Sequence, residues 1–186
     1  MKDSIIKDIK LFAIQKFKEY DGKFGSEFMI AATEECIKLI ERFSYGQQIN
    51  KNALIIGAYL HDIGRVVTDG PYHNLKGAEI AEAFFEDNNI DDEEIRNIVL
   101  DCVLNHGSNA TPKTEEGKIM QFVDKAVLVD VKIVRIYLKK LTEKLSKEEA
   151  VKKAKEKVDK WYNSIGPKKP LFDDQYHKCI KFIESY

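Results

Sequence analysis

The sequence predicts an all-α fold, a compact multi-helix bundle, and three observations carry that prediction. Apolar residues recur at spacings of three and four along most of the chain. Only four prolines and ten glycines occur in 186 residues, too little punctuation for many short strands. Helix start and stop signals fall where the apolar stripes begin and end.

Residues 3–20 carry Ile5, Ile6, Ile9, Phe12, Ala13 and Phe17 at helical spacing, and Asp21-Gly22 follows as a stop. Ser26 with Glu27 opens a second helix on Met29, Ala32, Cys36, Leu39, Ile40 and Phe43, which Gly46 ends. Asn50 or Asn52 caps a third, Ala53 to Ile63, whose apolar residues run almost all round it and place it at the centre of the core. Gly64 stands where a helix-ending residue adopts positive φ. After the Thr68-Asp-Gly-Pro71 loop, a fourth helix holds Leu75, Ala78, Ile80, Ala81, Phe84 and Phe85 and stops at Asp87-Asn-Asn89. Asp91 or Asp92, with two Glu in the first turn, starts a fifth through Ile95, Ile98, Val99, Cys102 and Val103.

Gly107 to Pro112 reads as a polar loop. The stretch from Ile119 to Leu141 is rich in Val and Ile. It still reads as helix, one bent or two, because Ile119, Phe122, Val123 and Ala126 keep a helical spacing. Two further helices, about 147–164 and 173–185, flank a Gly166-Pro-Lys-Lys-Pro170 linker. The length suits one domain over residues 1–186.

Composition excludes several functions. Thirty basic residues balance 31 acidic ones, so nothing draws the chain as a whole to nucleic acid or an anionic membrane. Lys147 to Lys160 is lysine-dense, but Glu148, Glu149, Glu156 and Asp159 offset it, which argues against nucleic-acid binding there. No apolar run is long enough for a membrane span, and the Met1-Lys-Asp-Ser start lacks a signal-peptide core. Cys36, Cys102 and Cys179 are odd in number and widely spaced, as expected of a reducing cytoplasm.

The chemistry concentrates in a few polar residues. His61 and Asp62 end the most hydrophobic helix, where a charged pair is costly unless compensated. His73 lies in a loop, His106 near a helix C-terminus, and Asp124 interrupts an apolar helix. Each has a plain alternative. The His-Asp pair can be a helix-terminal hydrogen bond, His106 can answer the helix dipole, and Asp124 can pair with Lys125 or Arg135. Together they form a mixed imidazole and carboxylate set, which suits Mn, Fe, Co, Ni or Zn better than Mg. Arg65, Lys76 and Lys125 are the nearest cations for a phosphate, and solvated surface positions are the alternative for each.

Tyr59-Leu-His-Asp-Ile-Gly-Arg65 resembles the signature of the HD-domain metal-dependent phosphohydrolases in its HDIG variant. His73 and then Lys76-Gly-Ala-Glu-Ile-Ala81 is similar to the family's His-x-x-x-Gly-Ala-x-x-Ala stretch. Asn105-His106-Gly, and Pro112 through Asp124-Lys125, resemble its second His and its closing Asp segment. The resemblance covers about residues 20–135, and the C-terminal helices, about 147–186, lie outside it. It implies an HD-domain-like helical bundle and a divalent metal on His61, Asp62, Asp124, His73 and His106. It further implies hydrolysis of a small phosphorylated compound such as a nucleotide. For that chemistry the residues themselves suggest catalytic roles for Asp62, which can ligate the ion and orient a water, and for Arg65 and Lys125 as phosphate-binding cations.

The chain departs from the family pattern at one ligand. The pattern opens with a histidine on the helix before the HD pair, and matching its apolar stripe to Met29–Leu39 puts Phe28 in that place. No histidine precedes His61. Three outcomes stay open. Water can complete a site of His61, Asp62 and Asp124, the metal can move to Asp62, His73 and His106, or the protein can be a degenerate member that only binds a ligand or partner.

Overall fold

The computed structural model describes residues 3–186; Met1 and Lys2, at the predicted signal-free start, lie outside the described residues. Among the described residues there are nine α-helices, three short 3-10 stretches and no strand. The chain divides into two compact units, one ending at Gln121 and the other spanning Phe122–Tyr186.

The first unit holds α1 (Asp3–Lys18), α2 (Ser26–Phe43), α3 (Lys51–Leu60), α4 (His73–Asp87) and α5 (Glu93–Asn105). Asn50 caps α3 by accepting the Ala53 N–H, and Asp92 caps α5 by accepting that of Ile95. Every α3 residue from Ala53 to Leu60 except Ile55 is buried, and α1, α2 and α5 pack around it, so α3 is the central helix of the unit. A Cβ on Gly57 would lie 2.7 Å from the Cys102 Cβ, so glycine sets how closely α3 and α5 approach.

Two expectations fail here. Helix α3 stops at Leu60, and a 3-10 turn over Ile63–Val66 follows, because the chain tightens before turning into α4. Gly64 does not take positive φ, which among the described glycines belongs to Gly25, Gly46 and Gly166. Its role is close approach: a Cβ there would lie 1.9 Å from the His73 carbonyl oxygen and 2.4 Å from the Gly77 nitrogen. Leu75, an apolar residue of α4, is half exposed.

Helix α6 (Glu115–Ala126) begins in the first unit and ends in the second. In the second unit a 3-10 turn at Val127–Val129 leads to α7 (Val131–Thr142), so the predicted Ile119–Leu141 element is two helices. The break falls where Asp130 leaves helical geometry and caps α7 through the Lys132 N–H. Helix α8 (Lys147–Ser164) starts with a Ser146–Glu149 capping box, and α9 (Asp173–Glu184) packs on it and on α7. The expected linker is a 3-10 segment over Gly166–Phe172. Trp161 packs against Tyr137, with ring centroids 5.2 Å apart, while Lys152, Lys153, Lys155 and Lys160 are exposed. All three cysteines are buried thiols outside any disulfide, and no described helix is long and apolar enough to cross a membrane.

Candidate metal centre

Four residues of the first unit converge where α3, α4 and α5 end or begin. His61 is the C-terminal cap of α3, and Asp62 follows at φ −107°, ψ 8°, a sparsely used backbone region common at functional sites. His73 is the first residue of α4, and His106 caps the end of α5. Gly64 and Gly77 bring the pieces together. Their backbones lie against each other, and a Cβ on Gly77 would also meet Val103 of α5 at 3.0 Å.

The three imidazoles are oriented in the same way. His61 Nδ1 lies 2.8 Å from the Ala58 carbonyl, His73 Nδ1 3.1 Å from that of Gly70, and His106 Nδ1 2.8 Å from that of Val103. A carbonyl oxygen accepts only, so each Nδ1 carries the hydrogen and donates it. In a neutral ring, Nε2 then presents a lone pair. Such backbone-fixed imidazoles are the usual second contact of a metal-ligating histidine.

The lone pairs meet around one carboxylate. His73 Nε2 and His106 Nε2 are 3.2 Å apart, and Asp62 Oδ1 lies 3.2 Å from the first and 3.5 Å from the second. His61 Nε2 is 3.8 Å from Asp62 Oδ2. Three acceptor atoms this close repel one another unless a cation or proton lies among them. Ligands about 2.1 Å from a tetrahedral ion would sit about 3.4 Å apart. The observed triangle, with edges of 3.2, 3.2 and 3.5 Å, has those dimensions, so the residues fit a divalent ion.

Burial alone would raise the Asp62 pKa. Among the groups that oppose this the Arg65 guanidinium comes first, and the carboxyl is held well below its usual range. Arg65 Nε lies 2.7 Å from Asp62 Oδ1, and its Nη2 donates to His73 Nε2 at 3.3 Å. Arg65 also lies over the Phe24 ring, 5.7 Å from its centroid, and Phe24 stacks on Phe28 at 4.9 Å and 20°. Phe28 is buried on α2. Lys76, the other cation of this unit named from the sequence, is half-buried and pairs with Glu79 on its own helix. Asp124 and Lys125 lie on α6 in the second unit and pair with each other.

Sequence reasoning missed the residues that hold the ligand segments. Asp101 accepts from Asn105 Nδ2 at 2.7 Å, from the backbone of Lys113 and Thr114, and from Thr114 Oγ1 at 2.7 Å. Gln121 Nε2 donates to the Gly107 and Ala110 carbonyls at 2.7 and 3.0 Å, and Asn74 Nδ2 to that of Leu104 at 3.0 Å. These bonds pin the loop after His106 and tie α4 to α5 beside His73. The available signal was a run of polar residues at i, i+4 next to a suspected ligand, Asp101 and Asn105 before His106.

The fold and site together define an all-helical protein with an imidazole–carboxylate cradle for a cation. The chain belongs to the HD-domain family, whose model matches residues 28–127 and so includes all of these site residues. Members of the family are generally metal-dependent hydrolases. No curated protein and no solved structure matches the chain.

Proposed function

We propose that the protein is a metal-dependent phosphohydrolase of the cytoplasm, acting on a small phosphorylated compound, a nucleotide by class. The observation that carries this is the convergence of backbone-oriented imidazole Nε2 atoms on Asp62. Asp62, His73 and His106 would hold the ion, with His61 beside them and Asp124 as the closing ligand of the matched segment. A divalent ion held there supplies a water acidic enough to ionise near neutral pH and positive charge for phosphoryl oxygens. The two Asp62 oxygens face different partners, Oδ1 toward His73 and His106 and Oδ2 toward His61, so one oxygen can ligate while the other orients a water. Arg65 provides a planar fork suited to two phosphate oxygens, and Lys125 a second cation. The family match crosses the boundary at Gln121, which supports reading the two units as one functional domain.

A degenerate ligand-binding member is the second reading, favoured by the buried, stacked Phe28 at the position of the pattern's first histidine. One experiment separates the two. Metal-stripped protein is loaded with Mn, Co, Ni or Mg and assayed for phosphate release across a panel of nucleotides. Turnover with a transition metal is expected. Metal uptake and nucleotide-dependent stabilisation without turnover would establish the second reading.

A further inference from the structure

We propose that Arg65 is a resident cation of the Asp62–His73–His106 subsite, so that a metal ion enters only by displacing the guanidinium. The inference rests on the metal-binding reading above and goes beyond it. Arg65 Nε is 2.7 Å from Asp62 Oδ1, and Nη2 is 3.3 Å from His73 Nε2. Those are two of the three atoms of the ligand triangle. The His73 Nε2 lone pair that receives an N–H cannot at the same time ligate an ion, and a guanidinium in contact with Asp62 Oδ1 repels a second cation there. Arginine and metal are therefore alternatives at these atoms.

The surroundings stabilise the arginine-filled state. Phe28 stacks on Phe24, and the Phe24 ring lies beneath the guanidinium, which adds a cation–π attraction. On the family pattern position 28 is where a further imidazole ligand is expected, and the phenyl ring present instead extends the aromatic support under Arg65. A second anchor is close by. Asp69 Oδ1 is 4.0 Å from Arg65 Nη1, and Asp69 is itself fixed by the Tyr20 hydroxyl at 2.5 Å and the Lys23 N–H at 3.0 Å. A short side-chain rotation toward Asp69 frees the Asp62 and His73 lone pairs and leaves the fork of the guanidinium available to a phosphate. The arginine would thus set metal affinity and couple metal entry to exposure of the phosphate-binding cation.

The test is a Co(II) titration of metal-stripped full-length protein, followed by calorimetry and visible absorption, for wild type, Arg65→Gln and Arg65→Lys. Both variants are expected to bind about tenfold more tightly than wild type, and both metal-free proteins to melt at lower temperature. Lysine keeps the charge but cannot span both atoms, so it separates displacement from simple charge repulsion and carries the test if the glutamine variant does not fold. Affinity unchanged or weaker in Arg65→Gln, or an Arg65→Lys affinity equal to wild type, overturns the proposal while the metal reading stands. No cobalt uptake by any of the three overturns the metal reading itself.

Discussion

At the scale of single residues, the centre is built by atoms that can only accept. Each Nδ1–H is committed to a backbone carbonyl, so Asp62 and the Nε2 atoms it faces form one coupled group. Asp62→Ala, and on the proposed ligand set Asp124→Ala, should each abolish measurable metal binding in a calorimetric titration. Phe28→His should tighten it by about tenfold, about 1.4 kcal/mol. Unchanged affinity in Phe28→His would mean that the missing ligand has been placed at the wrong residue. Asp101 makes a different prediction. Burial pushes its pKa up, but hydrogen bonds from Thr114, Asn105 and the Lys113 backbone pull it below the ordinary value. A depressed carboxyl stabilises the fold above its unfolded pKa, about 3.9, and that contribution fades as pH falls through the lower folded value. Denaturant melts of wild type and Asp101→Asn should therefore differ most near neutral pH, by about 2 kcal/mol, and draw together in acid. A difference that persists undiminished at pH 2 would contradict this.

At the scale of elements, the site depends on how closely the turn after α3 lies against α4. Gly64 and Gly77 allow that contact, and any side chain on Gly64 meets backbone rather than a flexible tip. Gly64→Ala should cost about 3 kcal/mol or more in a chemical melt and should also weaken metal binding, because it separates Asp62 from His73. A variant as stable as wild type would show that the backbones can part without loss. Most elements were legible in the sequence, since apolar spacing, Asn50 and Asp92 marked their cores and starts. The 3-10 turns were not. They arise where helices must end and redirect against neighbours, at Ile63–Val66 and Val127–Val129, and apolar periodicity does not register that constraint. Gly64 was misread for the same reason, since its role comes from contacts with α4 residues nine and thirteen positions downstream that local pattern cannot see.

At the scale of the whole molecule, the ordered motifs made the His61, Asp62, His73 and His106 cluster legible before any coordinates. Its supports, Asp101, Gln121, Asn74 and the Phe24–Arg65 contact, are long-range partners of ordinary polar or aromatic residues and carry no local signature. Because a bound ion favours only the folded state, metal at a hundredfold excess over its Kd should add about 2.7 kcal/mol of stability, read as a rise in Tm that a chelator reverses. The central claim is that the imidazole Nε2 atoms and Asp62 form a cation cradle. It is tested most directly by anomalous diffraction from crystals soaked in Mn(II). A bound ion should give an anomalous peak about 2.1 Å from Asp62 Oδ1 and from Nε2 of His73 and His106, with Arg65 turned away. No peak there, with the four side chains bonded to one another and Arg65 in place at saturating metal, would contradict it.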